Sequence, residues 1–168
     1  RTCTLKGKTL NLEGQQLKAG DTAPDATLRK NLMESVTVGS THGKTRIFSV
    51  VPSLDTAVCA IQTKRFHDEA ANLNGVDFYT ISCDLPTAQN RFCGAEKINP
   101  ERVKTLSDYY DRSFGKAYGT LVKELGVECR AVFVLDAKGV IRHAEYVPEV
   151  ADQPNYDAVL VCARKLAG

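Results

Sequence analysis

Arg46-Ile-Phe-Ser-Val-Val51-Pro52-Ser-Leu-Asp-Thr-Ala-Val-Cys59 is the stretch on which the reading of this chain turns. Its first six residues form a nearly continuous apolar run closed by a proline, the pattern of a strand buried on both faces. From about Thr56 the period changes. Val58, Phe66, Ala70 and Leu73 fall on one helical face, with Lys64, Arg65, Asp68 and Glu69 around it. Asn74-Gly75 is a helix stop, and Val76-Asp-Phe-Tyr-Thr-Ile-Ser82 reads as a second buried strand. A strand, a helix and a strand in this order make a parallel crossover unit.

Outward from that unit the elements continue in a recognisable order. Thr4 to Glu13, broken by Lys6-Gly7-Lys8, predicts an N-terminal β-hairpin, and Gln15 to Pro24 a connection. Pro86 opens a short helix that Gly94 is expected to close, and Ser113 to Tyr118 predicts another. Ala131-Val-Phe-Val-Leu135, the turn Asp136-Ala-Lys-Gly139 and Val140 to Val147 form a second hairpin. Pro154 to Leu166 carries Val159, Leu160, Ala163 and Leu166 at helical spacing, with Cys162 on the apolar side. The expectation is an α/β chain, a thioredoxin-like fold with a central mixed β-sheet flanked by helices and an N-terminal β-hairpin. Residues 1–168 are read as a single domain, in keeping with the length.

Composition narrows the functional classes. Lys+Arg is 22 and Asp+Glu is 20, with no basic run, so no electrostatic footprint for nucleic acid is present. No apolar stretch approaches the roughly 20 residues of a membrane-spanning helix. The six cysteines, Cys3, Cys59, Cys83, Cys93, Cys129 and Cys162, include no CxxC pair. They suit a reducing compartment, read as cytoplasmic, in which any disulfide is functional. The chain begins at Arg1 rather than Met, which leaves room for a leader removed upstream. The three histidines, His42, His67 and His143, have no ligand spacing, so no metal is expected. Gly39-Ser-Thr-His-Gly-Lys-Thr45 imitates a phosphate loop but has three residues between its glycines where four are required, and a strand follows it. A plain turn is the better reading.

The chemistry concentrates at the strand-to-helix turn. Asp55 or Thr56 can cap the helix, and either choice puts Cys59 in the first turn. A sulfur there faces unpaired N–H donors and the positive end of the helix dipole, which favours thiolate. The bland alternative is a small buried core cysteine.

Pro52-x-x-x-Thr56-x-x-Cys59 resembles the active-site pattern of the peroxiredoxins, and the full string Pro52 to Cys59 that of their thiol peroxidase subgroup, the atypical two-cysteine enzymes. Arg91-Phe-Cys-Gly-Ala-Glu96 is similar to the second-cysteine motif of that subgroup, and Arg130 matches the arginine the family places against the sulfur. The resemblance implies a peroxidase that reduces hydrogen peroxide and organic hydroperoxides. Cys59 would be the peroxidatic cysteine and pass through sulfenic acid, and Cys93 would resolve it as an intramolecular disulfide. Thioredoxin or a similar dithiol would supply the reducing equivalents without a cofactor, and a homodimer is implied. Pro52 would wall the pocket, while Thr56, helix N–H groups and Arg130 would donate to the peroxide.

Thiolate formation alone cannot supply the catalysis. Lowering a thiol pKa from about 8.5 to about 6 raises the ionised fraction at pH 7 roughly thirtyfold. A Brønsted slope of about 0.45 takes back roughly thirteenfold in nucleophilicity. Positioning and charge stabilisation must carry the rest. Two other functions remain open to the same residues. A protein disulfide oxidoreductase is disfavoured by the missing CxxC. A redox sensor that relays oxidation to a partner shares Cys59 and differs in slow recycling and trapped mixed disulfides. If the Cα atoms of Cys59 and Cys93 start more than about 7 Å apart, the Pro86–Gly94 segment, the Cys59 turn, or both are expected to unfold locally on oxidation.

Overall fold

A computed structural model of residues 1–168 shows a seven-stranded mixed sheet with helices against it and a small four-stranded sheet at one end. The strands are β1 (Thr2–Leu5), β2 (Lys8–Glu13), β3 (Thr27–Arg29), β4 (Ser35–Thr37), β5 (Thr45–Val50), β6 (Val76–Ser82), β7 (Val103–Ser107), β8 (Leu121–Val122), β9 (Val127–Glu128), β10 (Ala131–Leu135) and β11 (Ile141–Tyr146). The α-helices are α1 (Ala57–Ala70), α2 (Pro86–Ala95), α3 (Ser113–Tyr118) and α4 (Tyr156–Ala167). The large sheet runs β11-β10-β5-β6-β7-β3-β4 and the small one β1-β2-β8-β9.

β5, β6 and β7 are parallel, as the crossover unit requires, and β10 lies antiparallel to both β5 and β11. The expected thioredoxin-like arrangement, N-terminal hairpin included, is therefore present. β5 and β10 are buried at every position, which explains their unbroken apolar character. Alternate residues feed two cores. Phe48, Val50, Ile81 and Phe133 join Phe114 and Tyr118 on one face; Ile47, Phe78, Val132 and Val134 pack with Phe66, Val159 and Leu160 on the other.

The structure departs from the expected elements in several places. β3, β4, β7, β8 and β9 were not anticipated; most are two or three residues long, and β7 mixes Lys, Thr and Ser with its two apolar residues. The buried stripe of α1 is Cys59, Gln62, Thr63 and Phe66, two of them polar. Val58 is only half-buried, and Leu73 is buried beyond the helix end. Gly94 lies inside α2, which ends one residue later at Ala95. Leu166 is 36% exposed because α4 has passed the edge of the core there. Gly39–Thr45 is a short 3-10 turn at Val38–Thr41 leading into β5, with no helix to hold a phosphate.

Candidate active site

β5 ends at Val50, the chain turns through Val51 and Pro52 and loops over Ser53–Asp55, and α1 begins at Ala57, so Cys59 is its third residue. The first intrahelical bond runs from Ala60 N to Thr56 O at 3.0 Å, which leaves the N–H groups of Ala57, Val58 and Cys59 ahead of the ladder. Thr56 occupies the N-cap position but makes no capping bond. Its hydroxyl donates to Ser53 O at 3.2 Å instead. The expected cap is thus absent, and with its proton committed Thr56 faces outward as an acceptor rather than a donor.

The loop is braced by a residue that the sequence reading did not single out. Asp84, between β6 and α2, accepts from Ser53 Oγ at 2.8 Å, from Leu54 N at 2.8 Å and from Ser82 Oγ at 2.7 Å. One carboxylate therefore ties the cysteine loop to the chain that enters α2. Asp three positions after Ile81, where a buried strand opens into a Pro-started helix, is the only signal that pointed to it.

Cys59 has 0% exposure and packs with Val51 and Leu54. Its sulfur accepts from Arg130 Nη2 at 3.3 Å. Arg130, 2% exposed, also donates from Nε to Val150 O at 2.8 Å and from Nη1 to Gln62 Oε1 at 2.8 Å. Gln62 Nε2 in turn donates to Ser49 Oγ at 2.7 Å. The guanidinium is thus held on three sides in a fixed fork, and the sulfur is the one of its three acceptors that carries a full negative charge when ionised. No carboxylate pairs with Arg130, so the alternative of a simple ion pair is removed. Gln62 was missed by the sequence reading. Its position three residues after Cys59, on the same face, was the available signal.

A cleft of about 420 Å³ opens above this group. Pro52, Thr56 and Arg130 line it together with Leu5, Val122, Val127 and Val150, and Leu125, 48% exposed, stands at its rim. Three of the expected site residues, Pro52, Thr56 and Arg130, are therefore brought together around one cleft, and Cys59, buried beneath it, is joined to them by the Arg130 bond rather than by lining it.

Cys93 is not brought to them. All six cysteines are free thiols. Cys93 packs against the cluster that contains Ile98 and Val103, while Cys59 belongs to a separate small cluster, and Phe92 touches both. Burial pushes the Cys93 thiol up, and the Thr105 hydroxyl beside it offsets part of that rise. A groove lined by Ser53, Asp84, Arg91 and Phe92 runs between the cysteine loop and α2. Gln89 fastens α2 to the sheet by donating to Leu106 O at 2.9 Å and Ser82 Oγ at 3.1 Å.

The remaining cysteines lie elsewhere. Cys129, although next to Arg130, turns into the opposite core with Cys3. Burial raises the thiols of Cys3, Cys83, Cys129 and Cys162, away from the thiolate. Cys83 joins Asp108 and Glu128 in a group of ligand-type atoms all within 4.8 Å of one another, which histidine spacing did not foreshadow. That group is satisfied internally. Asp108 accepts from the amides of Phe114 at 3.0 Å and Gly115 at 2.8 Å, and Glu128 accepts from Thr120 at 2.5 Å and Cys83 at 3.6 Å. Burial, then Asp108, hold the Glu128 carboxyl well above the usual carboxylate range.

A cysteine in the first turn of a helix, with a guanidinium on its sulfur and a thioredoxin-like sheet beneath, defines a thiol-based redox protein. The family described as Redoxin matches residues 18–160. The thiol peroxidase of Bacillus subtilis (strain 168) is 49% identical over 163 residues, covering 97% of this chain and 96% of its own. That of Clostridium acetobutylicum is 49% identical over 160 residues, covering 95% and 96%. A peroxiredoxin-like protein from Aquifex aeolicus superposes with a TM-score of 0.91 at 38% identity, covering 99% of this chain and 97% of its own. The chain belongs to the redoxin family, among its thiol peroxidases.

Proposed function

We propose that the chain is a thiol-dependent peroxidase acting on hydrogen peroxide and organic hydroperoxides, with Cys59 as the attacking sulfur. The observation that carries this reading is the 3.3 Å approach of Arg130 Nη2 to Cys59 Sγ, with Arg130 itself lining an apolar-walled cleft. A hydroperoxide R–O–O–H entering that cleft meets Pro52 as a wall and Thr56 as an acceptor for its O–H. The Cys59 thiolate attacks the near oxygen, an S–O bond forms, the O–O bond breaks, and RO⁻ leaves and takes a proton to become ROH. Arg130 and the free N–H groups of Ala57 and Val58 face the charge that moves during this step. The Leu5, Val122, Val127 and Val150 walls give an organic R group apolar surface, which extends the substrates beyond hydrogen peroxide.

Cys93 then condenses with the Cys59 sulfenic acid to give a disulfide and water. A dithiol protein of the thioredoxin type reduces the disulfide by exchange, and no cofactor enters. Because the two sulfurs pack in separate clusters, α2 must let go of the sheet before they bond. A homodimer belongs to the same reading, and sedimentation of the reduced chain tests it.

The deciding experiment is stopped-flow peroxide consumption and a thioredoxin-coupled assay on two variants. Cys59→Ser is expected to abolish peroxide consumption. Cys93→Ser is expected to react once with peroxide, accumulate the sulfenic acid and fail to recycle. Peroxide turnover by Cys59→Ser at the unmutated rate would remove the proposal. Slow recycling of the unmutated chain, with mixed disulfides to one partner, would favour the relay over the peroxidase.

A further inference from the structure

The peroxidase reading leaves one cleft unused. β3 meets β7 only at Arg29 and Ser107, so the β3–β4 hairpin peels away from the rest of β7. A cleft of about 450 Å³ opens in the gap, within the usual range for small-molecule sites. No acidic residue lines it. Four polar groups open into it without a side-chain hydrogen bond or ion pair inside the chain: the ammonium groups of Lys30 and Lys104, the Tyr79 phenol and the Asn90 carboxamide. Lys104 Nζ lies 5.7 Å from the Tyr79 ring centre.

The charge on this wall has no counter-charge. Asp77, the carboxylate that acts on Tyr79, is paired with Lys44 at 3.9 Å. Behind Thr41 sits the buried Arg46 guanidinium, whose bonds go to Thr41 Oγ1 and three backbone carbonyls and to no carboxylate. The hydroxyl protons of Ser40 and Thr41 are committed to Thr37 O at 2.7 Å and Val38 O at 2.6 Å, so they are not donors here. What remains is two point charges, two neutral donors and an apolar wall that includes Val36, Pro100 and Leu106. Lysine charges suit phosphate oxygens, and the Val36, Pro100 and Leu106 wall suits a flat apolar body beside them, while Tyr79, only 6% exposed, offers its hydroxyl rather than its ring face.

The cleft also reaches the resolving cysteine. Asn90 lies on α2 one turn before Cys93, and Thr105, a cleft residue, faces the Cys93 sulfur. We propose that this cleft binds a phosphate monoester with a planar apolar body, of mononucleotide size, and that the bound ligand holds α2 folded through Asn90. Its regulatory consequence rests on the peroxidase reading: with α2 held, Cys93 reaches Cys59 more slowly and the sulfenic acid lives longer.

The test is calorimetric titration of the reduced full chain with adenosine 5′-monophosphate, inorganic phosphate and adenosine, with amide exchange of residues 86–95 measured alongside. The monophosphate should bind at least about tenfold more tightly than either fragment. Lys30→Glu combined with Lys104→Glu should weaken it about tenfold or more, because two attractions become repulsions. Exchange across α2 should slow severalfold when the monophosphate is bound to the unmutated chain, and disulfide formation should slow with it. Absence of binding, or binding that the double variant leaves intact, overturns the site. Phosphate binding as tightly as the monophosphate overturns the planar body, and binding without slower α2 exchange overturns the coupling. Failure of the peroxidase reading shows itself separately, as peroxide turnover by Cys59→Ser, and leaves the titration untouched.

Discussion

Replacing Gln62 by Met tests whether the guanidinium acts through its orientation. The substitution nearly conserves volume at a site with no exposure and removes two bonds, Arg130 Nη1 to Oε1 at 2.8 Å and Nε2 to Ser49 Oγ at 2.7 Å. The first is charge-assisted, worth about 1.5–3 kcal/mol, and the second about 1 kcal/mol, so a stability loss of roughly 2–4 kcal/mol is expected by denaturation. Arg130 stays tethered by Val150 O alone and is free to swing from the sulfur. If half of a ~2–3 kcal/mol bond is felt in the transition state, the second-order rate constant with peroxide falls about fivefold to fifteenfold. The first-order formation of the disulfide should change by less than about twofold, since Cys93 packs in a different cluster. Gln62→Glu, which returns an acceptor to Nη1, should recover much of the peroxide step. The assay is stopped-flow fluorescence or competition kinetics on the reduced chain, with the two phases resolved. A Gln62→Met protein that folds and reacts within twofold of the unmutated rate, or that loses both phases equally, would refute the orienting role.

Glu128→Gln is expected to stabilise the chain at neutral pH. The buried carboxyl keeps its proton in the fold above the unfolded value of 4.5, so the folded state binds more protons and stability falls as pH rises from about that value through the folded one. The slope is at most about 1.4 kcal/mol per pH unit for one proton, and the Gln variant should flatten it in denaturant titrations between pH 5 and 8. Leu125→Glu at the cleft rim should cut kcat/KM for a bulky aromatic hydroperoxide about fivefold, from the loss of roughly 1 kcal/mol of apolar contact, while hydrogen peroxide changes by less than twofold. Oxidation to the disulfide should accelerate amide exchange over residues 86–95; identical protection in both redox states would count against local unfolding of α2.

The parts of the fold that were legible in the sequence are those buried continuously, on both faces. β5, β6 and β10 are buried runs, and no other structure accommodates Arg46–Val51 or Ala131–Leu135 so simply. β3 and β4 are three residues each and draw their order from the partner strand, which local pattern does not record. At the site, Cys59 and Thr56 were visible as the start of a helix after a buried strand, whereas Pro52, Arg130 and Cys93 were visible only through the resemblance of their motifs. Gln62 and Asp84 were visible in neither way. Each is a polar residue whose value lies in a partner far along the chain, Arg130 for one and the Ser53–Leu54 loop for the other. The Thr56 cap failed because its hydroxyl found Ser53 O first, a competition between local bonds that residue type alone does not decide.

Phe92 packs both against the cluster that holds Cys59 and against the one that Cys93 joins. A movement of α2 that carries Cys93 away draws out this half-buried ring as well, an extraction that costs on the order of 1 kcal/mol. The same ring packs on the Cys59 cluster, so in the resolution step proposed above its departure would uncover the oxidised sulfur as Cys93 comes loose. One aromatic side chain would then act as a timer. If Cys93 resolves the sulfenic acid as proposed, the delay it sets is indifferent to peroxide concentration, and during it a second peroxide competes with Cys93 for the same sulfenic acid.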